Sequence, residues 1–187
     1  QVRVRVSGSL YTNASAAGSG LTLYGGDRTG SNYFMVMERA GGTYSANAFS
    51  GRLNPGFSKK VNAFQLNGFI KVQGLELFGT YESAKGRTKN EIADRNAKQY
   101  AIDGVYRFGK AEKFFVGARY NQVKARLANV AAAGPAPAII YSQDTNTDRV
   151  EFGAGWFLTR NVMVKGEYVK QQYKDYPTAD YHNGGEF

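Results

Sequence analysis

The sequence predicts an all-β protein, a transmembrane antiparallel β-barrel with short turns at one end and long loops at the other. Three observations predict this fold: a strand pattern that occurs three times, apolar and polar residues that alternate along further segments, and connections that alternate in length. The 187 residues are enough for one domain. We therefore expect 1–187 to be a single barrel domain, a portion of a larger barrel.

The repeated pattern is a short strand that ends in tyrosine. It occurs at Leu75–Tyr81, Phe114–Tyr120 and Val162–Tyr168, each copy just after a tight turn. At every second position the copies run apolar, apolar, small, tyrosine, and charged residues are interleaved. A transmembrane barrel requires strands of this kind, with the apolar face towards lipid and the polar face towards the lumen.

The same alternation with a period of two extends over seven predicted strands. They are Val2–Thr12, Asn62–Val72, Leu75–Ala84, Lys98–Phe108, Phe114–Leu127, Arg149–Leu158 and Val162–Tyr173. Residues 13–60 interrupt it. We predict a long loop there, or a loop with one extra hairpin built from the β-like segments Leu21–Tyr24 and Tyr33–Met37.

The connections between these strands are short near residues 73, 111 and 160, and long at 85–97, at 128–147 and after 173. Outer-membrane barrels have short periplasmic turns and long extracellular loops. A soluble β-sandwich or lipocalin would bury its apolar face and has no reason to alternate its loops. We therefore expect the protein to be located in the outer membrane of a Gram-negative bacterium. By the same parity, a closing strand is expected beyond 187, and the abrupt start in mid-strand at Val2 suggests earlier strands.

Composition excludes several alternatives. No run of about 18 apolar residues occurs, so a transmembrane helix is not expected. Cysteine is absent, which excludes thiol chemistry and disulfides. The net charge of +9 is spread singly along the strands rather than clustered, so we do not expect nucleic acid as a partner.

A family resemblance rests on seven segments: Ser50–Phe57, Leu75–Glu82, Phe115–Asn121, Asp148–Val150, Gly155–Phe157, Val164–Tyr173 and Asn183–Gly185. In these segments the chain resembles the C-terminal half of porin-like outer-membrane β-barrel proteins of Bacteroidota. The likeness covers most of residues 1–187 and is strongest after residue 50. It implies passive diffusion or uptake with no defined substrate, and a further terminal strand that ends in an aromatic residue.

The predicted pore-lining residues are the charged side chains on the polar faces of the strands. They are Arg3, Arg5, Lys71, Glu76, Glu82, Asp103, Arg107, Arg119, Arg149, Glu151, Lys165 and Glu167. Seven cations against five anions predict a mild preference for anions. The alternative is that these residues neutralise one another in a network with no role in transport.

The predicted lipid-facing aromatic residues lie on the opposite faces. They are Tyr81, Tyr100, Tyr106, Phe108, Tyr120, Trp156 and Tyr168. Tyr81, Tyr120 and Tyr168 should lie at similar heights and form part of an interfacial girdle. Three phenylalanines, Phe69, Phe78 and Phe157, fall instead on the polar side.

Catalysis and metal binding have little support. The only histidine, His182, lies in a loop rich in glycine, asparagine and tyrosine, so we expect no catalytic residue and no enzyme. Asp144–Asp148 begins like a calcium loop, but it lacks the required glycine and the glutamate at the twelfth position. No metal and no cofactor are expected.

The predicted function is therefore a porin-like channel for passive diffusion of small solutes. The alternative is a non-conducting barrel that serves as a structural or anchor subunit of an outer-membrane complex. The expected partners are outer-membrane lipid, and either other outer-membrane proteins or further copies of the chain. The apolar stretch 128–141 would then form a constriction at the barrel mouth or dock a partner.

Overall fold

The computed structural model describes residues 2–16, 24, 42–48, 50–134 and 136–186. These residues form one seven-stranded antiparallel sheet in which each strand pairs with the next along the chain. The strands are β1 (Val2–Asn13), β2 (Lys60–Val72), β3 (Leu75–Arg87), β4 (Arg95–Phe108), β5 (Phe114–Ala125), β6 (Thr145–Phe157) and β7 (Met163–Lys174). A short helix, α1 (Tyr44–Asn47), precedes β2.

The all-β, antiparallel fold class is confirmed, but the sheet is not closed into a barrel. Among the described residues, β1 pairs only with β2. The free edge of β7 forms one antiparallel bridge, between Gln172 and Glu186. Of the two β-like segments expected within 13–60, only Tyr24 lies in the described part of the chain, where it forms a bridge to Phe57.

Several strand ends differ from the prediction. β3 continues to Arg87, β4 begins at Arg95 and β6 begins at Thr145, so the connections at 88–94 and 126–144 are shorter than expected, while β5 ends earlier, at Ala125. The alternation fades at these ends because both faces become polar or small there. The backbone ladder continues nevertheless, since pairing needs only main-chain groups.

The cross-strand register separates two faces of the sheet. Val4, Ile70 and Leu77 are paired in one row, and the next row pairs Arg3, Lys71 and Glu76. We call these the apolar face and the polar face. The exposure is inverted relative to a soluble protein. Apolar positions of β2 are exposed and polar positions partly covered, which indicates that the polar face is concave.

A small core lies on the polar face at the end of the sheet that carries the long loops. Ala63, Ala84, Ala97 and Ala125 are paired in one row across β2 to β5, here called the alanine row. The fully buried ring of Phe57 packs against this row, together with Val61. Four small side chains in one row leave the space that this ring occupies.

Candidate functional site

All twelve charged residues predicted to line a pore lie on the polar face. The register places Arg3, Lys71, Glu76 and Glu167 in one row, and Arg5, Asp103, Arg119 and Glu151 in the next. The other four lie on the same face: Glu82, Arg107, Arg149 and Lys165. The candidate site is this charged surface.

Most of these charges are paired with each other. Glu76 accepts hydrogen bonds from Lys71 at 2.8 Å and from Arg107 at 3.2 Å. Further ion pairs run from Arg119 to Asp103 (3.5 Å), from Lys165 to Glu167 (2.6 Å) and from Arg149 to Glu151. Each cation therefore has an anion beside it across β2 to β7, which lowers the net field of this part of the surface.

Arg3 and Arg5 are different. Both lie on β1 at the edge of the sheet, and neither has an ion-pair partner among the described residues. Arg5 lies beside the phenylalanine pair Phe69–Phe78, and these three residues line a cleft of about 260 Å³ together with Asn67. The positive excess of the polar face is thus concentrated on β1.

Aromatic side chains also lie on the polar face. Phe69 and Phe78 are directly paired, as their position on the charged side predicts. Phe157 packs against Phe115 with ring centroids 6.1 Å apart, and the guanidinium of Arg107 lies 5.4 Å from the Phe115 ring centroid. Sequence analysis missed Phe115, because its neighbour Phe114 occupies the apolar position in the repeated pattern.

The apolar face ends along an oblique line. The last apolar residue before the long-loop end is Tyr81 on β3, Tyr120 on β5 and Tyr168 on β7; we call these three residues the tyrosine line. Tyr81 pairs with Tyr100 of β4, which pairs with Gln122 of β5, and Gln122 is two residues closer to the long loops than Tyr120. In the same way, Tyr120 is paired through Val150 of β6 with Lys170 of β7, which is two residues closer to the long loops than Tyr168. The boundary therefore shifts by one residue per strand relative to the hydrogen-bonded rows.

The other predicted lipid-facing aromatics share the apolar face. Tyr100 packs on Tyr81 with ring centroids 5.1 Å apart. Tyr106, Phe108 and Trp156 lie at the short-turn end and are exposed by 47%, 44% and 55%. Exposure of this size is unusual for large apolar side chains on one continuous surface.

The long-loop end of the polar face is covered by other parts of the same chain, and this arrangement was not predicted. The phenol of Tyr24 donates to the carboxylate of Glu82, and Arg95 lies over the Phe57 ring at 5.2 Å. On the same face, at the β7 edge of the sheet, Gln171 donates to the carbonyl oxygen of Gly51 at 3.2 Å. The segment 50–57 therefore contacts both the strands β2 to β5, through Phe57, and the edge strand β7, through Gly51. The alanine row was a signal that room exists there, but nothing in the sequence indicated that Phe57 fills it.

His182 belongs to this cover. Its Nδ1 lies 2.8 Å from Asp180, and its Nε2 lies 2.9 Å from the carbonyl oxygen of Ser50. The Tyr141 phenol donates to the second oxygen of Asp180, and the rings of Tyr173 and Tyr176 pack beside the imidazole. Both ring nitrogens are engaged by these contacts, so the geometry is that of a structural joint between loops.

The electrostatics of this joint follow from its contacts. Burial alone would raise the pKa of Asp180, but hydrogen bonds from His182 and Tyr141 outweigh burial and hold the pKa below its usual range. Burial and the hydrogen bond to Asp180 raise the pKa of Tyr141, which therefore remains a donor. Asp180 is 5% exposed, so its charge depends on these neighbours.

The segment Asp144–Asp148 does not form a calcium loop. Its last four residues belong to β6, and its two acids are engaged by cations: Asp144 by Arg126 at 2.9 Å and Asp148 by Lys174 at 2.9 Å. In the part of the chain that the structure describes, no group of three or more His, Cys, Asp or Glu side chains is placed to hold a metal ion.

The part of the chain that the structure describes contains no helix with the length and hydropathy of a transmembrane helix. Comparison with known proteins found no family model that matches the chain and no curated protein that is similar to it.

Proposed function

We propose that this chain forms part of the wall of an outer-membrane β-barrel through which small solutes pass by passive diffusion, with a mild preference for anions. The family to which we assign it is the porin-like barrel proteins of Bacteroidota that the sequence resembles. The observation that carries the proposal is the oblique boundary of the apolar face, marked by the tyrosine line.

The slope of this boundary matches the tilt of strands in a membrane barrel. Neighbouring strands are about 4.8 Å apart and each residue rises about 3.4 Å, so a shift of one residue per strand corresponds to about 35°. Strands of transmembrane barrels are tilted by about 35–45°. A horizontal membrane surface would therefore cut the sheet along the tyrosine line.

The height of the apolar band agrees with this placement. On β4 the band runs from Tyr100 to Phe108. These nine residues span about 27 Å along the strand, or about 22 Å along the barrel axis at a tilt of about 35°. The apolar band of outer-membrane barrels is about 25 Å tall. No charged residue of β4 interrupts the band on this face.

The charge distribution supports the anion preference. The cations of β2 to β7 are neutralised within the polar face, whereas Arg3 and Arg5 have no ion-pair partner among the described residues. Unpaired arginines beside a water-filled passage attract anions and repel cations. The excess of positive charge on the polar face is small, so we expect anions to pass more readily than cations, without exclusion of cations.

Single-channel conductance of the full-length protein in a planar lipid bilayer, recorded under a salt gradient, tests the proposal. We expect stable steps and a reversal potential displaced towards that of the anion. A folded, inserted barrel that gives no steps would contradict the channel.

A second candidate function is a non-conducting anchor for a partner protein. Two observations favour it: segment 50–57 covers part of the polar face, and Val130–Ile139 forms a small hairpin whose described side chains are mostly exposed. Val130 and Ile140 are exposed by 49% and 56%, which is unusual for apolar loop residues.

Photo-crosslinking in the native membrane tests the anchor. A crosslinking amino acid at Ala132, in the hairpin, should give a product with a protein of another size if the barrel is an anchor. The same amino acid at Asn161, in a short turn, serves as the control. If the protein forms conducting channels and gives no crosslinked product at position 132, the anchor function is excluded.

A further inference from the structure

Two lysines face each other directly on the apolar side of the sheet, just beyond the apolar band. Lys98 of β4 and Lys124 of β5 are cross-strand partners, and both side chains are exposed. Neither has an ion-pair partner among the described residues. Like charges that are directly opposed in a ladder destabilise it unless an anion lies between them.

The surroundings add positive charge and offer no free acid. Lys85 lies on the neighbouring strand, diagonal to Lys98, and no described residue forms an ion pair with it. We call Lys85, Lys98 and Lys124 the lysine clamp. The acids nearest to Lys124 are engaged elsewhere: Asp148 of β6 by Lys174 and Gln122, and Asp144, just before β6, by Arg126. Asp94 interacts electrostatically with Lys85, but its carboxylate forms ion pairs with Lys60 and Arg87. The facing lysines Lys98 and Lys124 therefore have no counter-charge of their own among the described residues.

A groove lies next to the clamp within the apolar band. Gly68 and Gly79 are directly paired and form its floor, and a side chain at Gly68 would meet no atom within 4 Å. The groove has a volume of about 590 Å³, and its lining includes Leu66, Ile70, Leu77, Tyr81, Tyr100 and Ile102. Tyr100 is two residues from Lys98, about 7 Å along the strand.

We propose that the lysine clamp and this groove together bind one lipid molecule whose headgroup carries phosphate. The phosphate lies between Lys98 and Lys124 and supplies the missing counter-charge. An acyl chain lies in the glycine-floored groove below. Lys98 and Lys124, which have no ion-pair partner among the described residues, lie above an apolar groove, and this is the order of groups in such a lipid. The inference depends on the membrane placement proposed above, and it does not depend on conduction.

Native mass spectrometry of the full-length protein in detergent micelles tests the site. The probes are lipid A, which carries two phosphates and several acyl chains, phosphatidylcholine, which has no net charge, and inorganic phosphate. We expect bound lipid A at concentrations where phosphatidylcholine is not retained. Inorganic phosphate should not displace it at millimolar concentration, because the ion cannot occupy the groove.

Variants separate the two halves of the site. The double substitution K98Q and K124Q should weaken lipid A binding by about 30-fold, since each lysine contributes about fivefold near an anionic headgroup. K110Q with K113Q removes the same charge at the opposite ends of β4 and β5 and should have no effect. G68L fills the groove and should weaken lipid A binding, whereas G166L, on an open part of the apolar face, should not.

Equal binding of phosphatidylcholine, or unchanged lipid A binding in the clamp variant, would overturn the inference. Complete displacement by inorganic phosphate, with no effect of G68L, would identify a site for free anions and would also overturn it. Because insertion and conductance are measured separately, loss of the lipid site alone would leave the proposed channel intact.

Discussion

The ring of Phe115 lies against the backbone of Gly155, its cross-strand partner on the polar face. A Cβ atom placed on Gly155 would lie 2.3 Å from Cζ and 2.5 Å from Cε1 of that ring. The absence of a side chain thus allows the aromatic ring to cover the neighbouring strand, where it also meets Phe157 and Arg107. Glycine at this position is required by packing and not by backbone conformation.

We predict that Gly155→Ala destabilises the sheet by about 1–3 kcal/mol, the usual cost of overpacking a filled site. The measurement is urea unfolding in lipid vesicles, followed by the fluorescence of Trp156, the single tryptophan of the chain. Gly153→Ala, two residues earlier on the same face, is the control, because its Cβ would make only ordinary contacts at 3.5 and 3.7 Å. Equal stability of the two variants would contradict the packing argument. Adding Phe115→Leu to Gly155→Ala should recover part of the lost free energy of unfolding, because the smaller side chain leaves room for the new Cβ atom.

A charge on the apolar face tests whether that face contacts lipid. Ile102 is 57% exposed and lies two residues inside the long-loop boundary of the band. If the face lies in lipid, Ile102→Lys should lower the free energy of unfolding from vesicles by about 1–3 kcal/mol, because the cost of a lysine rises from about 0–1 kcal/mol at the interface to about 2–4 kcal/mol at the midplane. Asn121→Lys, on the polar face of the adjacent strand, should change it far less. A negligible cost of Ile102→Lys would show that the face is exposed to water.

Arg3 and Arg5 should set the ion preference of the channel. Replacing both with glutamine leaves five cations against five anions among the predicted pore-lining residues, so the anion preference should disappear. The reversal potential under a salt gradient measures this change. The double variant K165Q and E167Q removes an ion pair of 2.6 Å without changing the net charge, and it should keep the preference. An unaltered reversal potential in the variant that lacks both arginines would show that other residues determine the anion preference.

The joint around Asp180 should be sensitive to acid. The pKa of Asp180 is lower in the folded protein than in the unfolded chain. Its contribution to stability is therefore complete above about pH 4, the unfolded value, and is lost as the pH falls towards the lower folded value. Amide hydrogen exchange of residues 176–186, corrected for the intrinsic pH dependence, should show protection falling in this range.

Asp180→Asn should remove that acid transition and lower the local stability at neutral pH by about 1–3 kcal/mol, because the bonds to His182 and Tyr141 lose a charged acceptor. Asp144→Asn is the control, since that carboxylate is half exposed and pairs with Arg126. If Asp180→Asn retains the acid transition of the unmodified protein, another group is responsible.

The periodicity of two predicted the strands and the faces on which their side chains lie. Val4 and Arg3, or Ile102 and Asp103, differ in polarity and alternate along the backbone, so their faces follow from the local geometry of any strand. The short turns followed as well, because the repeated pattern begins directly after each of them. Strand ends were less well predicted where both faces are polar, as at Thr145.

The strand order of the antiparallel sheet and the separation of an apolar from a charged face can be inferred from the residue pattern, because both depend on neighbours along the chain. Three features became visible only in the folded chain: the register shift of one residue per strand, the pairing of Lys98 with Lys124 and the docking of Phe57 on the alanine row. The same holds for the contact of His182 with Ser50, which are 132 residues apart. These features depend on how distant segments fit together, and a local alternation of residue types carries no information about that fit.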